Sequence, residues 1–246
     1  MIQRMPISRH IIVVIVLCIA GASRLSLAQA LEPTSRPTDK AVDPSFVDVP
    51  DDPNLPRVLL IGDSISMGYT IPVREMLKGK ANVHRPPANC GQTQRGLDQL
   101  DKWLGNGKWD VIHFNFGLHD LKYLDASGKY VDPSKGKQVA PPEVYEKNLR
   151  ELVARLKKTG AKLIFATTTP VPAGTLGRVE GDEVRYNKVA ARVMADTGVA
   201  IDDLHAVAMK DQQTIQRPRN VHFTPEGYKM LAASAAASIE RALQGP

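Results

Sequence analysis

The apolar run Val58-Leu59-Leu60-Ile61 stops at Gly62-Asp63-Ser64, and far down the chain Asn220-Val221-His222 precedes Thr224-Pro225-Glu226. A serine hydroxyl is a poor nucleophile at neutral pH and needs a base within hydrogen-bond reach. A strand buried on both faces would hold Ser64 at its carboxyl end, and Gly62 permits the sharp turn that exposes the side chain. The alternative for Ser64 is a helix N-cap, a common use of Asp and Ser after a strand. One of the six histidines, His222, stands in this late block and could serve as that base. Thr224 and Pro225 already supply an N-cap and a first-turn proline for the following helix, so His222 is not needed for capping. The segment from Gly62 to Gly68 lacks the lysine of a phosphate loop and the G-x-G start of a dinucleotide site, and no cysteine-histidine cluster has zinc spacing. We expect no metal and no cofactor.

These blocks resemble the GDSL or SGNH hydrolase family, in which a strand ends in G-D-S and a late histidine stands in H-x-x-x-x-G, here His222 to Gly227. The resemblance runs from Arg57 to the C-terminus. It implies Ser64 as nucleophile and His222 as base. It also implies an oxyanion hole built from the Ser64 N–H, a glycine N–H in a second block and an asparagine in a third. Cys90-Gly91-Gln92-Thr93 is similar to the second block, which makes Gly91 the backbone donor. The third block, G-x-N-D, departs: Gly117-Leu118-His119-Asp120 carries histidine at the asparagine position. Neutral imidazole has one N–H and can donate, so His119 is a candidate oxyanion donor, with Asn115 as the alternative. Asp63 and Asp120 are supporting residues. The family's D-x-x-H acid is also missing, because Arg219 stands three residues before His222. A guanidinium accepts no hydrogen bond. His222 would then be oriented by a main-chain carbonyl, or by Asp202, Asp203 or Asp211.

The elements that must position these residues follow from the apolar pattern. Short apolar runs alternate with amphipathic stretches, the sequence form of a parallel sheet with helices on both faces. Strands are expected at 58–61, 82–84, 110–116, 162–168 and 199–201. Helices are expected at 73–77, 93–104, 143–158, 182–197 and 225–243. In the third strand, the alternation of Ile112, Phe114 and Phe116 with His113 and Asn115 points one end toward solvent or the site. Five strands at this spacing fit an α/β, flavodoxin-like, doubly wound three-layer sandwich, whose crevice lies at the carboxyl ends of the strands. Two long connections, 118–142 and 170–181, would line it.

The first thirty residues hold Arg4 and Arg9, the apolar stretch from Ile11 to Ala22, and Ala28-Gln29-Ala30. That order reads as a secretory signal peptide cleaved after Ala30, and the apolar stretch is short for a membrane span. Export to the periplasm or the medium is the expectation. Residues 31–56, rich in Pro and Asp, read as a linker or irregular strap before a domain at 57–246. Cleavage would remove Arg4, Arg9 and Arg24 with no acid, taking the net charge from +6 to +3. So small an excess argues against a nucleic-acid partner. Cys18 would leave with the signal, so Cys90 would remain without a disulfide partner.

The expected activity is hydrolysis of a carboxylic ester through an acyl-serine, with acetylated carbohydrate as the substrate class the resemblance implies. The 5% aromatic content gives little support to a long acyl pocket. A non-catalytic glycan-binding relative and an O-acyltransferase on the same site are the alternatives.

Overall fold

A computed structural model describes residues 42–245; the expected signal peptide and the first part of the expected linker lie outside the described residues. In chain order the elements are β1 (Arg57–Ile61), α1 (Ser64–Met76), β2 (Asn82–His84), α2 (Thr93–Leu104), β3 (Val111–Phe114), β4 (Tyr123–Leu124), β5 (Lys137–Gln138) and α3 (Pro142–Lys157). They continue with β6 (Lys162–Ala166), α4 (Glu183–Thr197), β7 (Ala200–Asp202), α5 (Leu204–Met209), α6 (Gln212–Ile215) and α7 (Pro225–Leu243).

Five parallel strands form the sheet in the order β2-β1-β3-β6-β7, the doubly wound arrangement expected. Helices α1 and α7 pack together, as do α2 with α3 and α3 with α4, so the sheet lies between two helical layers. The core strands are buried on both faces: Val58, Leu60, Val111, Ile112, Phe114 and Phe165 are all sealed from solvent. Each such side chain contributes about 1.5–3 kcal/mol by leaving water. On α3 the buried stripe is Tyr145, Leu149, Leu152, Val153 and Leu156, the face its periodicity foretells.

Two expectations need correction. The helix expected only over 73–77 begins at Ser64 and contains Pro72. Asp63 starts it, its Oδ1 accepting from Ile65 N–H at 2.9 Å, and Ile65, Tyr69 and Val73 repeat every four residues on its buried face. That packing outweighs the weak propensity of Ser, Gly and Pro. The polar residues of β3 do not face solvent. His113 is fully buried, and its Nε2 meets Asp202 Oδ2 at 3.0 Å. Burial pushes the Asp202 carboxyl up, but His113 and Ser234 outweigh that and hold it below its ordinary value. Asn115 gives its Nδ2 to Ala166 O at 2.7 Å, tying the end of β3 to β6.

Residues 42–56 hold a short 3-10 helix, Pro44–Phe46, against α1 and then run beside β2. The Asp52 N–H donates to Asn82 Oδ1 at 2.9 Å, and Asn82 Nδ2 donates to Asp52 O and Leu55 O. Asp51 meets His84 Nε2 at 2.6 Å and Arg57 Nε at 2.9 Å. Of the two long connections, the first folds into the antiparallel pair β4-β5, while 170–181 has no regular element. Among the described residues no helix is long and apolar enough to cross a membrane.

Candidate active site

Ser64 is the first residue of α1, directly beyond the carboxyl end of β1. Gly62 makes that turn possible, since a Cβ there would lie 2.7 Å from Ser66 Cβ. Asp63 takes the capping role, which leaves the Ser64 hydroxyl free. Amides in a first helical turn have no intrahelical acceptor, and the positive end of the helix dipole favours negative charge beside them.

The Ser64 Oγ lies 2.8 Å from His222 Nε2. On the other side of the ring, His222 Nδ1 lies 2.7 Å from Asn220 Oδ1, which also accepts from the His222 backbone N–H at 3.0 Å. With an amide oxygen as acceptor, Nδ1 carries the proton and Nε2 is the lone pair facing Ser64. The segment is pinned by Arg217 N–H to His222 O at 2.9 Å, by Gln216 Nε2 to Val221 O at 3.1 Å, and by the Thr224 cap of α7. Between the pins Arg219 adopts φ +55°, a left-handed conformation uncommon for a residue with a Cβ.

The aspartates considered as orienting acids are committed elsewhere. Asp202 bonds His113 and Ser234, Asp203 bonds Thr167 and caps α5, and Asp211 meets Thr214. The group that meets Nδ1 is neither an acid nor a main-chain carbonyl but the Asn220 side-chain amide, which sequence reasoning passed over. The sequence cue was an amide two residues before His222, close enough to accept from both the ring and the backbone.

Ser64 and His222 share a cavity of about 420 Å³ with His119, Asn89, Tyr130, Thr175, Leu176, Arg178, Arg219, Asn220 and Val221. A larger cavity of about 550 Å³ lies beside the 170–181 connection and α5–α6, but neither Ser64 nor His222 lines it. His119 is half-buried, with Lys122 Nζ at 3.3 Å from its Nδ1. An ammonium only donates, so Nδ1 accepts and the neutral ring carries its proton on Nε2. Burial first, then Lys122, Arg178 and His222, push the His119 pKa down to about 4 against the pull of Asp63. It is neutral at pH 7. Burial also lowers the His222 pKa, helped by Arg217 and Arg178 and opposed by Asp63.

The other sequence candidates occupy different places. Gly91, at φ +68°, donates its N–H to Asn89 Oδ1 at 3.0 Å, and Asn89 rather than Gly91 lines the cavity. Asn115 is outside the cavity lining, with an amide hydrogen spent on Ala166. Asp120 is fully buried, and its Oδ1 accepts from Thr93 N–H at 2.9 Å and Thr93 Oγ1 at 2.5 Å. It anchors the start of α2 beside the second block. Burial pushes the Cys90 thiol up to about 11, which leaves it unreactive.

A doubly wound five-stranded parallel sheet with serine and histidine joined at the carboxyl ends of its strands defines a flavodoxin-like, three-layer α/β hydrolytic fold. The sequence profile of the GDSL-like Lipase/Acylhydrolase family matches residues 60–230, and the chain belongs to that family. It is a hydrolase of carboxylic ester bonds. Among solved structures it is similar to the acetyl xylan esterase AlAXEase, at TM-score 0.61 and 18% identity over 74% of this chain and 99% of that one. Axe2, an acetylxylan esterase from Geobacillus stearothermophilus, matches at TM-score 0.61 and 18% identity over 75% and 94%. A lipase/acylhydrolase from Enterococcus faecalis matches at TM-score 0.61 and 19% identity over 76% and 96%. These likenesses establish the fold. No curated protein matches the chain.

Proposed function

We propose that the protein is an exported serine esterase that removes acetyl groups from carbohydrate. The observation that carries the mechanism is the 2.8 Å separation of Ser64 Oγ and His222 Nε2, with Asn220 behind the imidazole. Ser64 attacks the ester carbonyl while His222 Nε2 takes its proton. The C–O bond to the alcohol breaks as His222 returns that proton to the leaving oxygen. Water, deprotonated by the same imidazole, then releases the acyl group and restores Ser64.

In this reading the oxyanion is held by donors of two residues that line the cavity: the Ser64 N–H at the start of α1 and the Nε2–H of neutral His119. Asn89 supplies a third donor in place of Gly91. Its Oδ1 is occupied by the Gly91 N–H, and its Nδ2 is uncommitted among the described residues.

Leu176, Val221 and the Tyr130 ring supply apolar surface beside the polar residues of a cavity of about 420 Å³, room for a small acyl group such as acetyl. Carbohydrate as the alcohol is favoured by the likeness to two acetyl xylan esterases. Export rests on the basic, apolar and Ala-x-Ala order of residues 1–30. A hydrogen-bonded serine and histidine weigh against the binding-only alternative.

Ser64→Ala should abolish acetate release from a short acetyl ester while leaving the thermal midpoint nearly unchanged, and wild-type protein quenched during turnover should carry one acetyl group on the Ser64 peptide. Activity retained in the variant would sink the assignment. Export predicts Leu31 as the N-terminus of secreted protein, and mass spectrometry finding Met1 on that material would refute cleavage.

A further inference from the structure

We propose that the Ser64 cavity recognises an anionic group, a carboxylate or a sulfate, on the sugar that carries the scissile ester, through Arg178 and Arg219. The proposal rests on the esterase reading above and names its substrate class.

Both guanidiniums line the cavity together with Ser64 and His222, and no Asp or Glu does so. Among the described residues neither is paired with a carboxylate. Arg150, Arg155, Arg185 and Arg192, by contrast, each meet one on the surface. Lys122 adds a third cation behind His119, with its Nζ 3.3 Å from the ring. A cleft lined by one sign of charge attracts ligands of the other sign.

Arg178 is also held in place. Arg178 Nε donates to Leu118 O at 3.0 Å, beside His119, and its guanidinium lies 5.5 Å from the Tyr130 ring centre. That leaves its terminal nitrogens for a ligand. Arg219 belongs to the turn that delivers Asn220 and His222, and it pays for its place with a left-handed backbone at φ +55°. Backbone strain of this kind persists at ligand clamps, where surrounding structure holds it. Its side chain lies against Gly174 of the 170–181 connection, where a Cβ would stand 2.9 Å from Arg219 Nε. The cations therefore come from two segments, Arg178 from the 170–181 connection and Arg219 from the histidine turn, and both line the cavity. A guanidinium matches a carboxylate or sulfate with two parallel hydrogen bonds, geometry a neutral hydroxyl does not supply.

The test compares acetate release from the O-acetylated methyl glycosides of glucuronic acid, of glucose and of glucose 6-sulfate, with 4-nitrophenyl acetate as a neutral reference. We expect kcat/KM for one anionic sugar to exceed that for the glucose counterpart about tenfold or more, mainly through KM, the scale of one or two charge-assisted hydrogen bonds. The preference should shrink with added NaCl, since exposed charges are screened over about 10 Å at 0.1 M salt. Arg219→Gln and Arg178→Gln should each move the anionic-to-neutral ratio toward one. Which anionic sugar is faster identifies carboxylate or sulfate. Equal rates on all three glycosides, with 4-nitrophenyl acetate still cleaved, overturn the anion site alone. Failure to cleave any of the four overturns the esterase reading and this proposal with it.

Discussion

At the scale of the residue, the site uses neutral groups where charged or amide ones are the family pattern. Asn220 Oδ1 meets His222 Nδ1, and in the proposed mechanism it orients the ring without placing a carboxylate next to the imidazolium. Asn220→Asp should raise the His222 pKa, because a nearby negative charge favours the protonated ring. Since His222 must be neutral to act as base, the acid limb of kcat/KM should move to higher pH than in the wild type. Its position unchanged would mean that Asn220 does not face the ring in solution. His119→Ala should lower kcat by about 10²–10³ with little effect on KM, the cost of one lost oxyanion donor, and His119→Asn should recover part of it. A raised KM with kcat unchanged would make His119 a substrate contact instead. Burial, Lys122 and Arg178 push the His119 pKa down to about 4, so near neutral pH the ring keeps one N–H to donate. Lys122→Met should lower kcat by freeing the His119 tautomer, and Lys122→Arg should retain more activity because guanidinium also only donates.

At the scale of the element, the nucleophile turn and the second block are joined by one buried side chain. Arg85 donates from Nη1 to Ser66 Oγ at 3.1 Å and Thr70 Oγ1 at 3.0 Å, and from Nη2 to Gly62 O at 3.2 Å and Ala88 O at 3.0 Å. It thereby binds the end of β1, the first turns of α1 and the segment before Gly91. Arg85→Met would keep most of the volume but strip these acceptors of donors. We expect a loss of about 3 kcal/mol or more, as for buried polar groups left unpaired, together with reduced kcat. Urea unfolding measures the first, and a variant as stable as the wild type would show that water replaces the guanidinium.

At the scale of the whole molecule, Asp120 couples stability to pH. Burial raises its carboxyl pKa to about 7 in the folded protein, against the hydrogen bonds from Thr93 and the pull of Lys122. An unfolded aspartate titrates near about 3.9. Between those values the folded state holds more protons than the unfolded one, so this group's contribution falls as pH rises and is lost above about 7. Asp120→Asn mimics the protonated carboxyl and keeps an Oδ1 for Thr93. Its unfolding free energy relative to wild type should therefore improve from pH 4 to pH 8. A difference that does not change with pH would place the Asp120 pKa near its unfolded value.

The sequence by itself determined the sheet and the two ends of the site. Val58–Ile61, Ile112–Phe114 and the stripe on α3 are local patterns of hydrophobic burial, and periodicity reads them directly. Ser64 and His222 stand next to turn and cap residues whose roles are local too. What tertiary structure decided were pairings between groups distant in the chain. The full length of α1 depended on packing against α7, which propensity does not see. His113 with Asp202, Arg85 with Gly62, and Arg178 with Leu118 are hydrogen bonds that only the folded sheet and its loops bring within reach. Even Asn220, two residues from His222, meets the ring only because the pinned turn and its left-handed Arg219 set its Oδ1 against Nδ1 while Nε2 faces Ser64. Burial patterns are written residue by residue, whereas the partner of a buried polar group is chosen by the three-dimensional fold.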